Sequence, residues 1–442
     1  MARKAHTIDL LTLGCSKNLV DSERLMYRMQ ALGYKCSHDP AVPQAPIAVI
    51  NTCGFIGDAK EESIQTILAF AQRKNKGAQY PLKKLYVMGC LSERYAHDLP
   101  QELPEVDGWF GKFDYMNLLE QLPSVQTSDC STLSGTERTL TTPSHYAYLK
   151  ISEGCNRMCS YCAIPLITGH HRSRPMEEIL TEARWLQKQG VKELNVIAQD
   201  LSSYGLDLYH EHRLPQLVDR LADIDGIEWI RLHYTYPTDF PNELLEVMAR
   251  RSNVCKYLDI ALQHCTDRML SLMRRHITRQ EQDALLERIR RTVPGITLRT
   301  TLMVGHPGET EDDFEELLQW VRTMRFERMG AFTYSEEEGT YAQRHYTDDI
   351  PPQVKQQRLE QLMAVQQQIA EEMAVQKVGQ TMKVVIDREE NDYFVGRTEY
   401  DSPEVDCEVL IKKSDTTSCL IGSFYTVRIE QADTFDLYAT II

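Results

Sequence analysis

"EGCNRMCSYCAIP", residues 153–165, places three cysteines, Cys155, Cys159 and Cys162, in a C-x3-C-x2-C run directly after the apolar stretch "AYLKI". An iron–sulfur cube has four irons and usually takes four thiolates. Three thiolates fix three irons and leave the fourth without a protein ligand, and an open coordination position is what a catalytic metal needs. A zinc knuckle completed by a distant fourth ligand is the alternative reading of the same run. Tyr161, just before the last cysteine, adds an aromatic ring beside the triad. From residue 146 onward, apolar stretches alternate with helical ones. "AYLKI", "ELNVIA", "WIRLHY", "YLDIAL", "TLRTTLMV" and "GAFTYS" read as strands, and "EEILTEARWLQKQG" and "EDDFEELLQWVRTM" as helices between them. Strands separated by helices form a parallel sheet, so this part of the α/β chain predicts an incomplete TIM-like barrel. Active sites of such barrels lie at the carboxyl ends of the strands, which is where the cysteine run falls.

Toward the amino terminus a second pattern repeats. The apolar runs "IDLLTL", "IAVI" and "KLYVM" are each followed at once by a cysteine: Cys15, Cys53 and Cys90, spaced 38 and 37 residues apart. One such interval is about the length of a βαβ unit. Helical stretches follow the first two cysteines, "SERLMYRMQALG" and "AKEESIQTILAFAQRK". A parallel-sheet domain is expected, with three cysteines at strand ends that can meet at one spot. Burial of all three as small apolar fillers is the competing account.

Residues 124–145 are polar and rich in Ser and Thr and read as a linker. Residues 353–375 form a helix leading to a tail with short strands, "TMKVVID", "YFVGRTEY", "EVLI", "FYTVRIE" and "LYATII", which predict a small five-stranded OB-like β-barrel. The net charge is −15, so a phosphate backbone is not the default partner. Twelve cysteines in 442 residues do not make a small disulfide scaffold. No stretch approaches the ~20 apolar residues of a membrane helix. "LLTLGC" faintly suggests a lipoprotein cleavage site, but Asp9 interrupts the short apolar run before Cys15. A cytoplasmic protein with reduced thiols is expected, with no membrane partner.

The C-x3-C-x2-C run resembles that of the radical S-adenosylmethionine (SAM) enzymes. The resemblance implies a [4Fe–4S] cluster on Cys155, Cys159 and Cys162 whose open iron binds SAM and whose electron cleaves it to a deoxyadenosyl radical. Such a cofactor reaches C–H bonds that His or Glu cannot usefully deprotonate. "LGCSKNLVDSE", "NTCGF" and "MGC" resemble the amino-terminal domain of the methylthiotransferases, where the three cysteines hold a second [4Fe–4S] cluster at which the sulfur is inserted. That carries over to Cys15, Cys53 and Cys90. "YLKISEGCNRMCSYCAIP", "VIAQDLSSYG" and "LMVGHPGETEDDF" resemble the catalytic domain of that family, and the tail resembles its TRAM domain. The implied domains are residues 5–123, 141–373 and 376–442. Gln199, Gly305 and Glu309 follow strand ends near the barrel mouth and, with Tyr161, are the candidates for lining the SAM site.

Within the family one branch modifies tRNA and another an aspartate of the twelfth protein of the small ribosomal subunit. "HYAYLKISEGC", "RLHYTYP", "YLDIALQH" and "FTYSEEEGTYA" resemble the second branch. The implied reaction is methylthiolation of the aspartate β-carbon, with one SAM as radical source and another as methyl donor. The alternatives are the same chemistry on a tRNA adenosine, or a zinc-stapled module without catalysis. Residues 376–442 carry 13 Asp and Glu against 7 Lys and Arg, a net of −6, where a tRNA-binding tail should be basic. This acidic tail is expected to meet a basic ribosomal protein, free or in the subunit. An electron donor and a sulfur source are required, and neither is identified by the sequence. His306 stands where the family often has an aromatic, and Cys265 where a small residue is usual. His264 reads as a local hydrogen-bonding residue. Cys36, Cys130, Cys255, Cys407 and Cys419 lack partners at ligand spacing and read as structural.

Overall fold

The apolar runs that precede Cys15, Cys53 and Cys90 are strands of one parallel sheet in the computed structural model, which describes residues 6–77, 79–123, 136–414 and 418–442. Cys130 and residues 124–135 of the expected linker lie outside the described residues. Two compact units make up the chain: one holds the residues up to Thr141 with Gly154–Asn156 and Ala163–His170, the other the rest.

In the first unit the strands are β1 (Thr7–Thr12), β2 (Lys35–His38), β3 (Ile47–Thr52), β4 (Lys84–Gly89) and β5 (Gly108–Trp109), in the order β2-β1-β3-β4-β5. Every residue of β3 is buried, as expected of a central parallel strand covered on both faces. One face packs Ile8, Leu10 and Val49 against Leu25 and Met29, the other Ile50 and Val87 against Ile67 and Phe70. The edge strands β2 and β5 were not predicted. "KCSH" and "GW" are too short and too little buried to leave an apolar signature. The register pairs Thr12 with Asn51, Asn51 with Met88 and Thr52 with Gly89, so β1, β3 and β4 end level. The first helix begins at Ser16, earlier than the periodicity predicts.

In the second unit β6 (Tyr146–Lys150) is followed by a two-stranded antiparallel clip, β7 (Ser152–Glu153) with β8 (Arg172–Ser173). Then come β9 (Glu193–Ile197), β10 (Trp229–Thr235), β11 (Val254–Ile260), β12 (Thr297–Val304) and β13 (Arg328–Thr333). The order β13-β12-β11-β10-β9-β6 is that of an open six-stranded parallel sheet, the incomplete barrel expected. Capping boxes start two of its helices, with Thr278 and Glu281 before Arg279–Thr292 and Thr310 and Asp313 before Glu311–Met324. The helix Pro352–Val375 leads into a closed five-stranded barrel of β14 (Thr381–Glu390), β15 (Tyr393–Thr398), β16 (Val409–Lys412), β17 (Phe424–Ala432) and β18 (Leu437–Ile441).

This small barrel docks on the amino-terminal halves of the parallel strands, away from the cysteine run. Trp229, Cys255 and Tyr257 pack with Val385 and Phe424. The buried Arg397 reaches Glu193 at 2.5 Å and Asp387 at 2.8 Å, and Arg231 donates to Glu193 at 2.9 Å. Part of the tail's acidic charge is taken up within the protein. Asp387 is held by Arg397 and His145, Asp401 by Arg328, and Asp406 by Arg299 and the Tyr257 hydroxyl, while Glu404 accepts from Tyr146. Two of these acids, Asp401 and Asp406, thus answer arginines of the parallel sheet, which a net charge count cannot reveal.

Asp401→Ala tests this. Its side chain is 1% exposed, and removal strands the Arg328 guanidinium, 12% exposed, without its carboxylate. A loss of about 3–5 kcal/mol is expected by chemical denaturation. A variant as stable as the parent would return this charge to the solvent. Burial raises the Asp401 carboxyl, but Arg328 and Lys377 outweigh it and hold the folded value below the usual range. The stabilisation is therefore present above the unfolded value of about 4 and fades as the pH falls through the depressed folded value.

Candidate functional site

The cysteine run leaves β6 as a loop whose backbone is tied from several sides. Gly154 has φ +82°, and a Cβ there would lie 2.1 Å from the His170 carbonyl oxygen, so only glycine fits before Cys155. The Cys155 N–H donates to Gly169 O at 3.2 Å and the Cys162 N–H to Cys159 O at 3.2 Å. Ser160 donates its N–H to Met273 O at 3.0 Å and accepts from the Ala342 N–H at 2.7 Å. Arg157 donates to Asp200 at 2.8 Å and lies 4.4 Å from the Tyr236 ring centroid. Asp200, Tyr236, His306 and Tyr334 all stand just past the carboxyl ends of β9, β10, β12 and β13. Side chains from successive strands thus converge on the loop, as at the active end of a parallel barrel.

One thiol carries most of the polar contacts. Cys159 Sγ is 3.3 Å from Nη1 of Arg275 and 3.5 Å from the Tyr236 hydroxyl. Arg275 is 2% exposed, also donates to the Tyr161 hydroxyl at 3.4 Å, and lies 4.0 Å from the Tyr236 ring centroid. A fixed guanidinium beside the sulfur is placed to donate a hydrogen bond to it. Arg275 and Tyr236 escaped the sequence reading. "MRRH" and "YTYP" have no spacing that ties them to a cysteine 116 and 77 residues upstream.

Tyr161 packs with Met269, Met273 and Tyr334. Gln199 donates to Glu153, whose other oxygen is 2.8 Å from Lys150. Gly305 has φ +74°, and its N–H donates to Glu309 at 2.7 Å. The Glu309 carboxylate is fully buried, 2.6 Å from Arg358 and 3.3 Å from His264, so it shapes the turn from within. His306 takes the aromatic position in full. Its ring meets Tyr161, Tyr334 and Tyr346 edge-on, with centroids 6.4, 5.2 and 5.8 Å away. Burial pushes its imidazole down to about 4, so the ring is neutral at pH 7. Nδ1 lies 3.1 Å from the Pro307 carbonyl, which can only accept, so Nδ1 carries the proton and Nε2 accepts from the Ser160 hydroxyl at 3.1 Å. Cys265 is fully buried with its thiol pushed up by burial, a packing residue. Burial likewise pushes Cys36 and Cys255 up to about 12 and Cys407 up to about 11.

The second triad follows from strand register. Because β1, β3 and β4 end level, Cys15, Cys53 and Cys90 leave the sheet together. A Cβ on Gly14 would lie 2.8 Å from Cys53 Sγ, and one on Gly54 would lie 2.7 Å from the Leu91 backbone. Both glycines thus permit the close approach. Asn18 ties the turn by donating to Leu13 O and Thr52 O, each at 3.0 Å, and its Oδ1 lies 3.6 Å from Cys90 Sγ. Crowding raises the Cys15 thiol, but Lys17, Lys112 and the Asn18 N–H outweigh it and bring it below its ordinary value. Burial and the neighbouring Cys15 raise Cys53.

Both triads fit iron–sulfur clusters by their donor chemistry. Among the described residues no three His, Cys, Asp or Glu side chains close on a single-ion position. The barrel mouth also fits a polar ligand. Gln199 Oε1, Gln263 Oε1 and the Tyr334 hydroxyl are buried without a hydrogen-bond partner, each past a strand end, and buried polar groups are normally satisfied.

Three families match the chain: the radical SAM superfamily over residues 149–321, the TRAM domain over 378–442 and the uncharacterized protein family UPF0004 over 7–111. The chain is 61% identical to the ribosomal protein uS12 methylthiotransferase RimO of Phocaeicola vulgatus, over 99% of this chain and 100% of that protein. It is 60% identical to the protein of that name from Bacteroides fragilis, again over 99% and 100%, and 51% identical to that of Christiangramia forsetii, over 98% and 94%. Among solved structures it resembles the radical SAM methyltransferase TsrM from Kitasatospora setae, with TM-score 0.55 and 14% identity over 77% of each chain, a likeness of fold.

Proposed function

We propose, because this chain belongs to the family of ribosomal protein uS12 methylthiotransferases, that it installs a methylthio group on the β-carbon of an aspartate of uS12. The observation that carries this reading is the pair of cysteine triads, each just past the carboxyl ends of parallel strands. Cys155, Cys159 and Cys162 would hold one [4Fe–4S] cluster, and Cys15, Cys53 and Cys90 the other. When bound, the first supplies the electron that cleaves SAM to a carbon radical, and the second supplies the place where sulfur is inserted. The protein's own part is positional. Arg275 and Tyr236 hold Cys159, and the Ser160–His306 contact and the backbone of Met273 fix the loop between the cysteines. Gln199 and Tyr161 offer polar and aromatic surface to SAM, and Gly305 lets the chain approach it. Glu309 acts through the turn it braces.

The partners are uS12, free or in the small subunit, an electron donor and a sulfur source. Among the described residues no helix is long and apolar enough to cross a membrane, and a ribosomal substrate places the enzyme in the cytoplasm. Asp401 and Asp406 are taken up by Arg328 and Arg299, so the exposed acids of the tail, among them Glu389 and Glu390, are the ones left to meet a basic partner. The rival substrate is a tRNA adenosine, which would require tight and salt-sensitive tRNA binding. Anaerobic reconstitution followed by mass spectrometry of both substrates decides between them. Added mass on the uS12 aspartate and none on tRNA is expected. Modification of tRNA alone would overturn the substrate assignment and leave the radical chemistry standing.

A further inference from the structure

Lys112 lies just beyond β5, outside every motif that the sequence reading used. Its side chain is 3% exposed, and its ammonium sits 3.8 Å from Cys90 Sγ, 3.4 Å from Asn18 Oδ1 and 3.3 Å from Asp21 Oδ2. The backbone holds it there as firmly as the side chain does. The Lys112 N–H donates at 2.9 Å to Glu93, on the short helix Cys90–Arg94 that begins at the cysteine itself. A Cβ on Gly111 would lie 2.3 Å from the same Glu93 carboxylate, so a larger residue there would displace that side chain. The loop is therefore shaped to deliver one cation to one thiol.

A buried ammonium is costly unless something negative faces it. Asp21 answers part of that charge, and its side chain is itself 19% exposed. The Cys90 sulfur is a further group that the ammonium faces. Three thiolates on a cluster leave a net negative site, and cluster net charge and hydrogen bonds to sulfur are what set its potential. We infer that Lys112 is a positioning residue of the amino-terminal triad: its ammonium donates to the Cys90 sulfur and offsets the negative charge that the loaded triad carries. This rests on the reading that Cys15, Cys53 and Cys90 hold a cluster. It goes beyond that reading by assigning the triad's charge partner, a residue one position past the matched amino-terminal family region.

The test is an anaerobic redox titration of the reconstituted full chain, followed by electron paramagnetic resonance, for the parent, Lys112→Met and Lys112→Arg. Two cluster signals are expected in the parent, one of them altered by added SAM. In Lys112→Met the signal that SAM does not alter should move to a more negative potential, while the SAM-sensitive one stays in place. Lys112→Arg should restore most of the parental value, because it keeps a charge and N–H donors. Methylthio product should fall by about 10–100-fold in the Met variant, the usual range for a residue that supports a metal ligand. If Lys112→Met loses its second cluster and Lys112→Arg keeps it, the charge assignment holds. An unmoved potential in a fully loaded Met variant would overturn it. So would equal shifts, or equal loss of iron, in both variants, since the side chain would then act by shape alone. A parent that loads only one cluster would instead remove the reading of the triad itself.

Discussion

Replacing Cys155, Cys159 and Cys162 together with alanine should abolish reductive cleavage of SAM and lower the iron content from about eight to about four per chain, at four irons per cube. Loss of fold is not the expected cause. The loop is held by its backbone at Ser160, by Arg157 on Asp200 and by Ser160 on His306, none of which needs a cysteine sulfur. Cys159 is the only buried thiol of the three, and shortening it removes one small group from the Arg275 and Tyr236 contacts. Nor is Cys265 a ready substitute ligand. Cys265 is fully buried and its thiol is pushed well up, which disfavours the thiolate a cluster requires. Deoxyadenosine release with dithionite as reductant, measured beside iron and sulfide content, reads both effects. SAM cleavage at the parental rate would show that these cysteines do not carry the open-iron cluster.

The parts of this site that were legible in the sequence are those with a local signature. A tight cysteine run after a strand is one. A cysteine recurring after three successive apolar runs is another, because parallel strands of similar register must release it at the same edge. What was not legible depends on contacts across long sequence separations. Arg275 and Tyr236 reach Cys159 from 116 and 77 residues away, and Lys112 reaches Cys90 from 22. Each is an ordinary residue in an ordinary stretch until the sheet places it. His306 was legible as a departure and not as a role. Only the surrounding ring of Tyr161, Tyr334 and Tyr346 explains why an uncharged imidazole serves there. The tail shows how a charge count misleads. Its net of −6 was correct, but Asp401 and Asp406 are answered by Arg328 and Arg299 of the parallel sheet. Deleting residues 376–442 would therefore bare Trp229, Cys255 and Tyr257 and strand buried arginines, so it could not isolate an effect on partner binding.

A chain with Cys15, Cys53 and Cys90 replaced by alanine should behave in the opposite sense: SAM is still cleaved reductively, and no methylthio product forms. The expectation follows from where the two sets of contacts lie. The Arg275 and Tyr236 contacts of Cys159, and the Ser160–His306 contact beside it, are all made by residues of the second unit. The substitutions are mild for the first unit. Cys15 is exposed and Cys90 half-buried, while Cys53 is 8% exposed and loses only its sulfur, a cavity cost of about 1 kcal/mol. The turn keeps its Asn18 bonds to Leu13 and Thr52, and the Asn51 side chain still donates to Asn18 O at 3.0 Å. Lys112 would keep Asp21 as its counter-charge. Iron should again fall to about four per chain, now with the SAM-sensitive signal retained. A moderate drop in cleavage rate is compatible with this assignment, because removing a buried charged site perturbs its surroundings. The decisive readout is the product on uS12. Full methylthiolation by the triple variant would mean that these cysteines only fill space at the strand ends, and that the sulfur enters the reaction from elsewhere.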